Sequence, residues 1–153
     1  MRDMSWEQFL RLANELDRLR VSLLNGGPVI NLVHQALDRP GQRGAAFELI
    51  GHLSTKEKED LLPALVDLAC FSNKYRTDAF LAICSLPRRW VVANIEPQAE
   101  LIFSRASEEE FGLLLHLLFE VSPELGRTIA ERGLHHHNED IKHIAATFLS
   151  EVQ

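Results

Sequence analysis

The chain holds 153 residues, 46% hydrophobic and 25% charged, which excludes collagen-like, low-complexity and wholly disordered readings. Its formal net charge of −6 removes the usual driver for binding phosphate backbones. Two cysteines, Cys70 and Cys84, are too few for a disulfide framework. No apolar signal core follows Met1 and no window approaches the ~20 apolar residues of a membrane span, so a cytoplasmic, soluble single domain over 1–153 is expected.

The first expected helix, 5–24, opens at a capping box, Ser5-x-x-Gln8, in which a hydroxyl and the side chain three residues on satisfy backbone donors that the first turn leaves orphaned. Phe9, Leu12, Ala13, Leu16, Leu19 and Leu23 form one apolar stripe along it, and Asn25-Gly26-Gly27-Pro28 ends it. Helices are expected at 28–38 and 42–53, separated by Arg39-Pro40-Gly41. Ser54-x-x-Glu57 opens 55–71, Ser72-Asn73 closes it, and 73–86 and 89–105 follow. A third box, Ser107-x-x-Glu110, opens 108–120, and Ser122-Pro123 reads as an N-cap with proline at the first position of 123–133. The last helix, 139–152, carries Ile141, Ile144, Ala145, Phe148, Leu149 and Val152 at helical spacing. No alternation of period two occurs, so the class is all-α.

A longer period runs through these helices. Small residues Ala46, Ala79, Gly112 and Ala145 stand 33 positions apart. In register with them are Arg43, Arg76, Glu109 and Lys142, then Ile50, Ile83, His116 and Leu149, then Leu53, Leu86, Phe119 and Val152. Leu61-Leu62-Pro63-Ala64-Leu65 and Ile95-Glu96-Pro97 place a proline inside two of the partner helices, where it frees a carbonyl and kinks the axis. The Arg76-x-x-Ala79-x-x-x-Ile83-x-x-Leu86 run, with its counterparts from Arg43 and Lys142 and the Leu61–Leu65 segment, resembles the HEAT-repeat family, to which armadillo repeats are close. The resemblance covers about 28–152 and implies a short right-handed α-solenoid of about four hairpins, 28–53, 55–86, 89–120 and 123–152. The helix at 5–24 would then cap one end and the polar side of the last helix the other.

Candidate chemistry is sparse. His135-His136-His137 with Asp140 and His143 is the only metal-like grouping, and His137, Asp140 and His143 are weak candidates because 137 and 143 diverge around a helix. The His-Glu dyads that hold iron in some HEAT-like enzymes are absent. Neither Gly-x-Ser-x-Gly nor a glycine-rich phosphate cradle occurs, and Cys70 and Cys84 read as buried, inert thiols, so neither an enzyme nor a cofactor is expected. Glu57, Glu59, Asp60 and Glu108-Glu109-Glu110 read as first-turn acids that offset helix dipoles. Phe111–Phe119 is apolar almost all round and fits burial on every side.

Residues 1–106 sum to zero charge and the whole excess of −6 falls on 107–153. This favours a non-catalytic protein-binding module with a basic protein partner, in its sharpest form an immunity protein or antitoxin against a basic toxin. Candidate contact residues are Glu108, Glu109, Glu110, Glu139 and Asp140, with Arg88-Arg89-Trp90 as a second, basic-aromatic cluster. The alternatives are a HEAT-like protein that handles a ligand or chromophore, through His116 and Cys84, and then a nucleic-acid-binding solenoid.

Overall fold

A computed structural model describes residues 5–152. All regular structure among them is helical, with no strand. Backbone contacts divide the chain into two compact units at Leu49/Ile50.

The first unit begins with α1 (Trp6–Asn25), whose capping box forms as expected. Gln8 N–H donates to Ser5 Oγ at 3.3 Å and Ser5 N–H to Gln8 Oε1 at 3.1 Å. The exit turn needs Gly27, which sits at φ 128°, a backbone region that a side chain disfavours. α2 (Ile30–Leu37), a 3-10 turn (Pro40–Gln42) and α3 (Arg43–Ile50) follow. Arg43 Nε donates to the Leu37 carbonyl at 2.8 Å, tying the start of α3 to the orphaned end of α2. Val29, Val33, Leu37 and Ala46 are buried, but α1 contributes no buried residue. The stripe expected to be the inner face of a cap is therefore left exposed.

The second unit holds α4 (Thr55–Asp60), α5 (Leu62–Ala69), α6 (Arg76–Cys84), α7 (Arg88–Asn94), α8 (Glu96–Arg105), α9 (Glu108–Val121), α10 (Pro123–Gly133) and α11 (Glu139–Glu151). The two long helices expected at 55–71 and 89–105 are each broken in two. Pro63 and Pro97 cannot donate to the carbonyls four residues back, and their rings collide with that turn. The hydrogen-bond ladder is therefore interrupted just before each proline. Leu61 and Ile95 occupy the two junctions and are both 0% exposed. Because α4 stops at Asp60, Glu59 and Asp60 lie in its last turn, where the helix dipole opposes them, and not in a first turn as expected.

α9 supplies the centre of this unit. Phe111, Leu114, Leu115, Leu117 and Leu118 are all fully buried, as the nearly all-apolar sequence requires. At each such position burial contributes roughly 1.5–3 kcal/mol relative to exposure. α10 returns antiparallel to α9, and its glycines mark two close approaches, Gly126 to the α9 backbone and Gly133 to side chains of α9 and α11. A Cβ on Gly126 would lie 3.2 Å from Phe119 N, and one on Gly133 would lie 2.7 Å from Phe111 Cζ and 3.0 Å from Ala145 Cβ. The two contacts 126–119 and 133–111 fix the opposed direction. α11 instead runs parallel to α9, since Gly112 faces Ile144 near one end and Phe119 stacks on Phe148 at 5.6 Å near the other.

Burial tracks the 33-residue columns unevenly. Ala46, Ala79 and Ala145 are buried, as are Ile50, Ile83, Leu53 and Leu86. His116 is exposed where Ile50 and Ile83 are buried, because α9 buries 114, 115, 117 and 118 instead. Val152 is exposed beyond the end of α11. Ser122 holds the N-cap position of α10 without capping it through its side chain, and the residue is buried. Proline at the next position removes one orphan donor already, and the Gly126 N–H is taken by the Ser122 carbonyl at 2.9 Å.

Candidate interaction surface

The parallel packing of α9 and α11 sets their first turns side by side at one end of the pair. Ser107 makes both bonds of its capping box, with Glu110 N–H donating to Oγ at 3.3 Å and Ser107 N–H to Glu110 Oε2 at 3.0 Å. At the neighbouring start of α11, Asn138 Oδ1 accepts from Asp140 N–H at 2.8 Å and Ile141 N–H at 3.4 Å. These caps consume Glu110 and Asn138 and turn the adjacent acids outward. Glu108, Glu109, Glu139 and Asp140 are exposed. Glu139 pairs with Lys142 at 2.6 Å, while Glu108, Glu109 and Asp140 make no ion pair among the described residues. An acidic edge results, supported from beneath by helix N-termini that favour negative charge there.

Arg88, Arg89 and Trp90 do not join this edge. They start α7, with both arginines exposed and Trp90 half-buried. Arg88 lines a cavity of about 110 Å³ with Cys84, Glu120 and Val121, at the far end of α9. Twelve residues of helix separate Glu108 from Glu120, a distance of roughly 18 Å at 1.5 Å per residue. The two candidate clusters are thus distinct patches of opposite sign.

Ion pairs link α5, α8 and α10. Arg105 on α8 pairs with Asp67 on α5 at 2.9 Å, and Arg132 on α10 pairs with Glu100 on α8 while lying over the Phe103 ring at 4.8 Å. These pairs are exposed and contribute register more than stability. On the other side a groove of about 240 Å³ is lined by Arg76, Phe80, Leu81, Leu113 and His116, with the Phe80 and His116 rings stacked at 5.3 Å. Composition carries no signal for this groove, because its residues come from α6 and α9 and only packing joins them.

Cys84 was expected to be buried and is exposed, since it sits on the outer face of α6 one residue after Ile83. It lines a different cavity from His116, so the two do not converge on one ligand site. Partial burial, and then Glu120, raise its pKa. Cys70 is buried, and burial, with help from Asp67 and Glu110, pushes its thiol up to about 12. Neither environment favours a thiolate.

Among the described residues no three His, Cys, Asp or Glu side chains are grouped to hold a metal ion. The structure therefore does not gather His137, Asp140 and His143 into one coordination shell. His137 stacks instead on His136 at 4.2 Å, and His136 Nδ1 accepts from the Asn138 N–H at 3.0 Å. Burial, then His137 and Lys142, lower the His136 pKa, in keeping with a ring nitrogen used as an acceptor. No helix among the described residues is long and apolar enough to cross a membrane. Comparison with known proteins finds no matching family model, no similar curated protein and no matching solved structure.

Proposed function

We propose that this chain is a protein-binding module whose acidic edge, Glu108, Glu109 and Asp140, receives a basic face of another protein. The observation that carries the reading is the parallel α9/α11 pair, which sets three exposed carboxylates without ion-pair partners at one end of the segment that holds all the net charge. Desolvating such carboxylates is favourable only when an opposing cation meets them, so their field selects a basic partner and speeds its encounter. A nucleic-acid-binding toxin has the required chemistry, and covering its phosphate-binding face would neutralise it.

In this reading 50–152 is a stack of HEAT-like hairpins. Support comes from α5 packing on both α6 and α8, from α9 packing on both α8 and α11, and from the Asp67–Arg105 and Glu100–Arg132 pairs that link successive outer helices. A rigid stack holds the acidic edge in a fixed shape, and that shape provides specificity.

Affinity capture from the source cell with the full chain tests this function. A basic partner should be retained at low salt, released at about 0.5 M salt where the Debye length falls below ~5 Å, and lost with the triple variant Glu108→Lys, Glu109→Lys, Asp140→Lys. Retention of the same partner by the triple variant would refute the assignment of the edge. Recovery of only acidic partners would refute the charge argument itself.

A further inference from the structure

The surface that the acidic-edge reading leaves unused is α1. Phe9, Leu12, Leu16, Leu19 and Leu23 are 45–58% exposed, although no other helix among the described residues leaves so many large apolar side chains in water. The half-buried residues of α1 are Ala13, Arg20 and Leu24, which follow one edge of the stripe, while Phe9, Leu12, Leu16, Leu19 and Leu23 remain exposed. The stripe therefore borders the helix's own contacts along one edge and is open to water along the rest of its width.

Its spacing identifies what fits it. Steps of three, four, three and four residues repeat the heptad spacing of core positions in a coiled coil, so the stripe suits a second helix packed along it. The stripe runs fourteen residues, or roughly 21 Å, enough for five apolar layers. Charge then separates the possible occupants. Glu7, Glu15 and Asp17 cancel Arg11, Arg18 and Arg20 along α1. An interfacial membrane helix carries an excess of Lys and Arg, and a strongly charged partner would find no net field here. A second copy does complement this pattern. In heptad terms the stripe fills both core positions, with Glu15 on one flank and Arg20 five residues later on the other. That offset makes opposite charges meet across a parallel pair, whereas an antiparallel pair would set Glu15 against its own equivalent. Arg20 is already held at the flank by Asp17 at 2.6 Å and by Glu48.

We propose that α1 pairs in parallel with α1 of a second copy, forming a two-stranded coiled coil that joins two chains. This surface is independent of the acidic edge, so either can fail without the other. Five layers make a small interface, and association in roughly the tens-of-micromolar range is expected.

Sedimentation of the full chain between 5 and 200 μM is the test. The wild type should move from monomer to dimer over that range. Leu12→Glu with Leu19→Glu, both at exposed positions, should stay monomeric with unchanged helical circular dichroism, and Leu81→Glu, exposed on α6, should still dimerise. A wild type that is monomeric at 200 μM, a double variant that dimerises equally, or a Leu81→Glu that abolishes the dimer would each overturn the proposal. So would a monomer that co-sediments with neutral or anionic phospholipid vesicles. An independent reading comes from oxidising Leu16→Cys in a Cys84→Ser background. An interchain disulfide should form there and not at Asn14→Cys on the opposite face, and equal or absent cross-linking at the two sites would count against a parallel pair.

Discussion

Gly133→Ala offers the most direct test of how α9, α10 and α11 pack. In a helix interior, replacing glycine by alanine gains about 1 kcal/mol from propensity and reduced unfolded-state entropy. At Gly133 the added methyl would stand 2.7 Å from Phe111 Cζ and 3.0 Å from Ala145 Cβ, and both neighbours are 0% exposed. Neither can yield cheaply. Phe111 is a buried ring closed in by its surroundings, and Ala145 moves only with the α11 backbone. Overpacking of this kind costs about 1–3 kcal/mol, which offsets the propensity gain and leaves a net loss of up to about 2 kcal/mol. Gly112→Ala is the matched control. Its methyl would meet only Ile144 Cγ2 at 3.9 Å, an ordinary contact, so the propensity gain should survive and the variant should be more stable than wild type. Urea unfolding followed by far-ultraviolet circular dichroism reads both. The midpoint should fall by up to about 1 M for Gly133→Ala and rise by about 0.3–0.5 M for Gly112→Ala, with unchanged slopes. Equal midpoints, or a Gly133→Ala variant more stable than Gly112→Ala, would refute the close approach of α10 to α9 and α11.

Capping supplies a second contrast. Ser107→Ala removes a hydroxyl that accepts from Glu110 N–H and should cost about 1 kcal/mol, whereas Ser122→Ala removes no cap bond and should cost less than half of that, as measured by the same unfolding curves. For the thiols, iodoacetamide at pH 8 should label Cys84 within minutes to hours and leave Cys70 unmodified until the protein is unfolded, with mass spectrometry counting adducts. Cys70 also sets an alkaline limit. Between about pH 9 and 12 the unfolded thiol ionises while the folded one stays protonated, so stability should fall with rising pH, by at most about 1.4 kcal/mol per unit, and Cys70→Ala should flatten that slope. At His136 the sign is opposite. Its folded-state pKa is lowered, so the unfolded chain takes up the proton first and stability present above pH 6.5 should decline as the pH falls through the folded pKa. His136→Gln should blunt the decline seen in urea titrations between pH 7 and 5.

Much of the candidate edge was legible in the sequence. Ser107, Glu110 and the acids around them obey local rules, because a capping box and a first-turn carboxylate need only the residues within one turn. The same holds for α1, whose stripe and capping box were readable residue by residue. What stayed hidden depended on distant partners. Cys84 and Ile83 are adjacent in one apolar-looking run, and only the direction in which α6 faces the unit makes one exposed and the other buried. His116 falls in an apolar column of the repeat, yet the rotation of α9 that buries Leu115 and Leu117 turns it outward. Pro63 and Pro97 were visible as disturbances, but that the residues just before them, Leu61 and Ile95, are fully buried depends on packing against distant helices.

By itself, then, the amino-acid order determined the all-helical class, most of the helix starts and stops, and the placement of the net charge, because propensity, capping and composition act within a few residues. Tertiary packing decided which way each helix faces: the parallel α9/α11 pair that sets the acids at both helix starts at one end, the close approaches of Gly126 to the α9 backbone and of Gly133 to the Phe111 ring and Ala145, and the apolar stripe of α1 left in water. Those outcomes depend on the fit between surfaces far apart in the chain, where burial and steric contact, not local preference, dominate the free energy.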